Sequence, residues 1–125
     1  MITGLNGLDG VDVKVLNGQV TVASQIRPDH VAAIAAAGFA CVMMNRPDGE
    51  EYGQPDWDDI VAACDAAGIE ARYVPMGGRE LNMAAVQGFR DALDQVDGPI
   101  FAFCRSGTRC EILFQAAGHL PPAAN

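Results

Sequence analysis

The chain has 125 residues, enough for one domain with one core, and its composition, 50% hydrophobic and 19% charged, excludes a disordered chain. Its net charge of -8 argues against nucleic-acid binding, and no apolar run reaches the roughly 18 residues that a membrane-spanning helix needs. The first residues, MITGLNGLDG, have no signal-peptide pattern, so we expect a cytoplasmic protein that binds neither nucleic acid nor membranes.

A β-hairpin is predicted at the start of the fold. Val11–Val15 alternates apolar and polar residues, and the Asn17-Gly18 pair is typical of a two-residue turn. The alternation resumes at Val20–Val22, so we expect these two segments to pair as antiparallel strands.

Beyond the hairpin, short apolar strands alternate with amphipathic helices. The capping residues Asp56 and Asn82 favour helix starts, and glycine or proline separates the segments. The predicted strands are Phe39–Met44, Ile69–Met76 and Ile100–Phe103. The predicted helices run from Pro28 to Gly38, from Asp56 to Gly68, from Asn82 to Gly98 and over Glu111–Ala117. This alternation predicts a single α/β domain over residues 1–125, with a parallel sheet between two layers of helices and a frayed tail at 118–125.

Cysteine and histidine are too few and too scattered for a metal site. No two cysteines form a CxxC pair, and we expect neither a metal nor another cofactor. In a reducing compartment a lone structural disulfide is not expected either, which leaves at least one thiol free for chemistry. The cysteines are Cys41, Cys64, Cys104 and Cys110, and the histidines are His119 and His30, the second of which is expected to be exposed.

The segment with chemical character is CRSGTRC, residues 104–110, between the last predicted strand and the last helix. Parallel α/β sheets place their ligand crevice at the carboxyl ends of strands, where Cys104 stands. The loop N–H groups, the positive end of the helix and the cations Arg105 and Arg109 would each lower the pKa of Cys104. The pattern therefore predicts a thiolate nucleophile.

The same loop is suited to hold an anion beside the sulfur. Gly107 permits a tight turn, and Ser106 and Thr108 offer hydroxyl donors. A buried structural cysteine is the alternative interpretation of Cys104. Cys110 either packs beside the loop or approaches closely enough to resolve an oxidised Cys104 as a disulfide, which would make the chain a redox-sensing module.

Two known families resemble this chain. The loop CRSGTR, a Cys-x4-Arg pattern, resembles the active-site loop of rhodanese-type sulfurtransferases. The wider chain is similar to the bacterial phosphatase-like domain that some proteins join to a β-lactamase-like hydrolase. This second resemblance implies a cysteine-phosphatase-like fold of the dual-specificity type. The matching stretches, which cover most of residues 20–115, are Val22–Gln25, Ala37–Phe39, Asn45–Glu50, Gly68-Ile69, Val74-Pro75 and CRSGTR.

The two resemblances imply two chemistries for Cys104. Tyrosine and dual-specificity phosphatases carry Cys-x5-Arg, whereas Arg109 comes one residue earlier here. A shorter loop has fewer N–H groups and fits the terminal sulfur of a persulfide better than a phosphate. Phosphatases also need an acid to protonate the leaving oxygen. The loop at 77–80 has no Asp for this task, which leaves Glu80 or Asp48 as stand-ins.

We therefore favour a sulfurtransferase, in which Cys104 takes sulfur from a small anion such as thiosulfate or a persulfide and passes it to a thiol acceptor. Hydrolysis of a phosphate ester through a phosphocysteine at Cys104 is the alternative. In both reactions Arg109 acts with Cys104. The remaining residues of the anion-binding loop are Arg105, Ser106, Gly107, Thr108 and Cys110. The residues expected to line the crevice are Asn45, Arg46, Asp48 and Glu80.

Overall fold

The computed structural model describes residues 7–78 and 80–120, in which strands and helices alternate. The strands are β1 (Val13–Val15), β2 (Val20–Ala23), β3 (Cys41–Met44), β4 (Glu70–Tyr73) and β5 (Ile100–Phe103). The helices are α1 (Val31–Ala36), α2 (Trp57–Ala67), α3 (Met83–Gln95) and α4 (Thr108–Ala117), and a 3-10 helix, Pro28–His30, leads into α1.

The strands form one sheet in the order β1-β2-β5-β3-β4. β1 pairs antiparallel with β2 and the other pairings are parallel, so the predicted hairpin and parallel sheet are confirmed. Phe103, the last residue of β5, pairs with Ala23 of β2 and with Met44 of β3. The loops that follow these three strands therefore start side by side at the carboxyl end of the sheet.

Hydrophobic residues of β5 alternate between the two faces of the sheet. Ile100 and Ala102 pack in the core beneath α3 and α4, together with the fully buried Phe89. Phe101 and Phe103 pack in a second core, which includes residues of α1 and α2. The sheet thus lies between two helical layers, and the predicted α/β layered fold is confirmed.

Three strands are shorter than the sequence predicts, and the first of them, β1, begins at Val13 and not at Val11. The apolar runs 39–44 and 69–76 predict longer strands than β3 and β4, which pair over four residues each. Val74 and Met76 remain buried beyond the end of β4, and their N–H groups donate to the carbonyls of Met44 and Asn45. The difference arises because an apolar pattern reports burial, and burial continues past the residues that form a regular ladder.

α2 and α3 begin where their capping residues predict, whereas α4 begins at Thr108, three residues before the predicted start at Glu111. The side chains of Asp56 and Asn82 accept N–H groups from the first turns of α2 and α3. His30 is buried, not exposed as predicted, because its Nδ1 accepts the N–H of Arg27 at 3.0 Å and the ring turns inward. No helix within the described ranges is long and apolar enough to cross a membrane. Part of the tail that was predicted to fray, 121–125, lies outside the described residues.

Candidate active site

Cys104 is the residue directly after β5, and its loop turns back toward its own side chain. The N–H of Cys104 donates to the Ala23 carbonyl at 3.2 Å, which continues the pairing of β2 with β5. The N–H of Gly107 donates to Cys104 Sγ at 3.0 Å. Gly107 has a φ of 94° and is the N-cap of α4. A glycine is favoured here because residues with a Cβ rarely adopt this left-handed conformation.

Polar groups of the loop and of the first turn of α4 stabilise the charged form of the Cys104 sulfur. The largest contribution comes from the Cys110 thiol, and the backbone N–H groups of Cys110, Ser106 and Gly107 add to it. Together they lower the pKa of Cys104 from 9.0 to about 5, although burial favours the neutral thiol. Cys104 is therefore a thiolate at neutral pH.

Cys110 supports this thiolate as a neutral donor. It is fully buried, and burial together with the neighbouring Cys104 raises its pKa well above the usual value. Burial also raises the pKa of Cys41 to about 12 and that of Cys64 to about 11. All four cysteines lie within the described ranges as free thiols, and Cys104 is the one with a lowered pKa.

Arg109 lies in the first turn of α4, and Glu50 holds its guanidinium. Arg109 Nη1 donates to Glu50 Oε2 at 2.7 Å, and Nη2 donates to Oε1 at 2.8 Å. Nη1 also donates to the Met76 carbonyl at 2.9 Å. The ion pair lowers the pKa of Glu50 to about 2 and raises the pKa of Arg109. The negative charge of the Cys104 thiolate raises the pKa of Arg109 further. Arg109 therefore interacts with both Glu50 and the Cys104 thiolate.

Arg46, in the loop after β3, binds Glu50 from a second direction. Its side chain is 4% exposed, and its Nε donates to Glu50 Oε1 at 2.9 Å. Nη2 donates to Glu51 Oε1 at 3.2 Å and Nη1 to Gln25 Oε1 at 3.0 Å. Gln25 donates its backbone N–H to the Arg105 carbonyl at 3.2 Å. One polar network therefore connects the loops after β2, β3 and β5.

A cleft of about 480 Å³ opens beside the cysteine loop. Cys104 has no exposed surface, so its sulfur lies behind the loop residues that form the cleft wall. Three arginines and two glutamates line the cleft, which suits it to a small charged molecule. The residues that line it are Arg46, Glu50, Glu51, Gly78, Arg105, Ser106, Thr108 and Arg109.

The structure brings most of the predicted loop residues to this cleft. Arg105, Ser106, Thr108 and Arg109 line it, and the Ser106 and Thr108 hydroxyls lie 3.1 Å apart. Cys104, Gly107 and Cys110 are buried behind them. Of the residues predicted to line the crevice from other loops, Arg46 does so.

The other three predicted lining residues are not part of the cleft wall. Asn45 is buried, and its Nδ2 donates to the Val74 carbonyl at 2.8 Å, which ties the ends of β3 and β4 together. Asp48 Oδ1 accepts the N–H of Trp57 at 2.8 Å, so it faces the start of α2. Glu80 is exposed in the loop before α3.

Sequence reasoning missed three residues of the network: Gln25, Glu50 and Glu51. The paired acids at 50 and 51 were not predicted to bind the arginines of the site. The sequence does contain a signal that could have identified the two glutamates: buried or half-buried arginines require acidic partners, and paired acids stand in the loop that contains Arg46.

The parallel sheet, the thiolate after its central strand and the arginine at the start of the next helix define a phosphatase-like domain. The chain belongs to the family described as "Beta-lactamase hydrolase-like protein, phosphatase-like domain", whose model matches residues 12–119. It is 33% identical over 99 residues to the beta-lactamase hydrolase-like protein of Agrobacterium fabrum, and 32% identical over 99 residues to that of Xylella fastidiosa. Each match covers 79% of this chain and 23% of the relative, so the chain spans less than a quarter of the relatives' length.

Solved structures share the fold. A protein of Neisseria meningitidis Z2491, named a "putative phosphatase", superposes with a TM-score of 0.74 and 31% identity over 86% of this chain and 79% of its own. A Shewanella putrefaciens CN-32 protein with the same description has a TM-score of 0.73 and 19% identity, over 94% of this chain and 78% of its own. At that identity the likeness concerns the fold alone. The comparisons therefore support the phosphatase-like interpretation better than the sulfurtransferase interpretation.

Proposed function

We propose that this chain is a cysteine-dependent sulfurtransferase that carries sulfur on Cys104 from a small anionic donor to a thiol acceptor. The observation that supports this function is an ionised Cys104 beside a cleft whose carboxylates already bind arginines. A thiolate can attack the outer sulfur of thiosulfate without a proton donor, because sulfite leaves as a stable anion. Hydrolysis of a phosphate ester needs a donor for the leaving oxygen.

No carboxyl group among the described cleft residues is arranged as that donor. Glu50 has a pKa of about 2 because it binds Arg109 and Arg46, so it is deprotonated at neutral pH. Glu51 accepts a hydrogen bond from Arg46 at 3.2 Å. Asp48 is outside the cleft wall, and its Oδ1 accepts the N–H of Trp57 at the start of α2. A reaction that releases a stable anion fits this lining better than one that must protonate its leaving group.

In the proposed reaction, the Cys104 thiolate attacks the outer sulfur of thiosulfate. A bond forms between Sγ and that sulfur while the sulfur–sulfur bond of thiosulfate breaks, and the bonding pair leaves with sulfite. The product is a persulfide anion on Cys104, and the N–H groups that hold the thiolate are suited to stabilise it. A thiolate acceptor then attacks the outer sulfur, and the electron pair returns to Cys104.

Hydrolysis of a phosphate monoester is the second candidate function. It is favoured by the family, which is described as a phosphatase-like domain, and by the likeness to the Neisseria protein. The thiolate would attack phosphorus and form a phosphocysteine, with Arg109 against the phosphoryl oxygens. Glu80 would be the candidate acid, because it is exposed and lies two residues from Gly78 of the cleft wall.

The two functions are separated by supplying each substrate in turn. Thiosulfate with cyanide tests sulfur transfer through the formation of thiocyanate, and p-nitrophenyl phosphate tests hydrolysis through the release of phosphate. We expect thiocyanate without phosphate. Thiosulfate alone should increase the mass of the protein by one sulfur atom. Cys104→Ser should lower the rate at least about 1000-fold, because it removes the nucleophile.

Cys64→Ala is the matched control for this experiment. Cys64 is a buried cysteine whose raised pKa keeps it a thiol, so the variant should form thiocyanate at the wild-type rate while circular dichroism reports an unchanged fold. Phosphate release without thiocyanate would overturn sulfur transfer in favour of hydrolysis. Thiocyanate formation by Cys104→Ser at the wild-type rate would remove Cys104 from the sulfur-transfer mechanism.

A further inference from the structure

Two of the three arginines that line the cleft are held by carboxylates. Arg109 directs both terminal nitrogens at Glu50, at 2.7 and 2.8 Å. Arg46 donates to Glu50 at 2.9 Å and to Glu51 at 3.2 Å. Their positive charges are therefore largely balanced inside the network. The fork of Arg109 that would clasp an oxyanion is occupied by a carboxylate.

Arg105 is the third arginine of the cleft, and its charge is unbalanced. Its side chain is exposed and forms no ion pair or hydrogen bond with any residue in the ranges 7–78 and 80–120. Its backbone is held in place because its carbonyl accepts the N–H of Gln25 at 3.2 Å. Arg105 is also the next residue after Cys104 in the chain. A cation attached next to the nucleophile is thus available to a ligand.

We propose that Arg105 is the specificity-determining residue of the cleft, which recruits dianionic donors, while Arg109 is reserved for the thiolate and Glu50. The identity of the donor rests on the proposed sulfur transfer. Coulomb energy scales with the product of the charges, so an unpaired cation attracts a dianion about twice as strongly as a monoanion at the same distance. Arg105 should therefore favour thiosulfate over methanethiosulfonate, which offers a terminal sulfur with a single negative charge.

The first test compares these two donors. Arg105→Gln should raise the KM for thiosulfate about 10-fold and leave kcat nearly unchanged, because the charge acts on binding and not on the transfer step. The KM for methanethiosulfonate should rise less, and Arg105→Lys should restore most of the loss. Arg90→Gln is the matched control, since Arg90 pairs with Asp94 at a different cavity. An equal rise of KM for both donors would contradict charge selection.

The second test needs no turnover. Uncharged iodoacetamide alkylates thiolates, and the other cysteines are buried with raised pKa values, so the reaction reports on Cys104. Sulfate should slow the alkylation of the wild-type protein, and Arg105→Gln should require about 10-fold more sulfate for half-protection. Equal protection of both proteins, or protection of neither, would overturn the role of Arg105. A sulfate effect of the expected size without any thiocyanate formation would reject sulfur transfer alone.

Discussion

Glu50 joins Arg109 to Arg46, and this carboxylate makes the stability of the protein depend on pH. The guanidinium groups of Arg109 and Arg46 stabilise its charged form and lower its pKa from 4.5 to about 2. The stabilisation is present in full above pH 4.5. It is lost as the pH falls toward 2, because the unfolded chain takes up the proton first. Its size is smaller than the pKa shift alone suggests, because Glu50 is exposed and water screens its interaction with the two guanidinium groups.

We expect Glu50→Gln to lower the free energy of unfolding at pH 7 and to make it less dependent on pH between 4.5 and 2. Urea unfolding at a series of pH values measures both effects. Glu51→Gln is the matched control, because Glu51 also pairs with Arg46 but is 58% exposed and does not contact Arg109. A Glu50→Gln protein that loses stability in acid as steeply as the wild type would contradict this assignment.

Residues of the candidate site differ in how far the sequence could predict them. The segment 104–110 was predictable because its cysteine, glycine and arginines are contiguous, so one local turn brings them together. Glu50 was not predictable in the same way, since 59 residues separate it from Arg109. The pairing forms because the segments after β3 and β5 start side by side at the carboxyl end of the sheet. A local sequence pattern does not predict which segments become neighbours in this way.

The start of α4 is the element on which the thiolate depends. Gly107 has a φ of 94°, and its N–H group donates to Cys104 Sγ at 3.0 Å. Gly107→Ala should cost about 1 to 2 kcal/mol of stability, because a Cβ is disfavoured in this conformation. The shifted amide should also raise the pKa of Cys104. Ultraviolet titration of the thiolate measures that pKa, which is about 5 in the wild-type protein.

Gly53→Ala separates the two effects of that substitution. Gly53 has a φ of 83° in an exposed loop with open space around it, so alanine is disfavoured there for the same conformational reason. The Gly53→Ala protein should lose stability but keep the Cys104 pKa of the wild type. If Gly107→Ala also leaves that pKa unchanged, the Gly107 amide does not stabilise the thiolate.

The starts of α2 and α3 were predicted more accurately than the ends of β3 and β4, for a physical reason. A helix start depends on a local cap, and the side chains of Asp56 and Asn82 accept the N–H groups that such caps satisfy. A strand end depends on its neighbours, because the ladder stops where the partner turns away. Val74 and Met76 continue the apolar pattern of β4 but lie beyond its end at Tyr73. The sequence could not distinguish buried residues within the strand from buried residues that follow it.

At the scale of the molecule, the strand order assembles the site. β5 lies between β2 and β3, so the loops that contain Gln25, Arg46 and Cys104 meet at one end of the sheet. The alternation of strands and helices predicted a parallel sheet, and this is confirmed. The order itself was not predictable, because each pairing depends on how the whole chain packs.

The layer formed by α3 and α4 depends on an aromatic contact. The rings of Phe89 and Phe114 meet edge to face with centroids 6.4 Å apart, and Phe89 is fully buried. Phe89→Ala should lower the free energy of unfolding by about 3 to 5 kcal/mol, since it removes a core ring and leaves a cavity. Leu81→Ala is the control, with Leu81 54% exposed and an expected change below about 0.5 kcal/mol. Urea unfolding compares the two, and similar losses would contradict the assignment of the core.

The complete burial of Cys104 has a consequence for the durability of the protein. Because the sulfur has no solvent-accessible surface, we expect dissolved peroxide to oxidise Cys104 more slowly than an exposed thiolate of the same pKa. A thiolate covered in this way would persist longer in aerated solution than one at the protein surface.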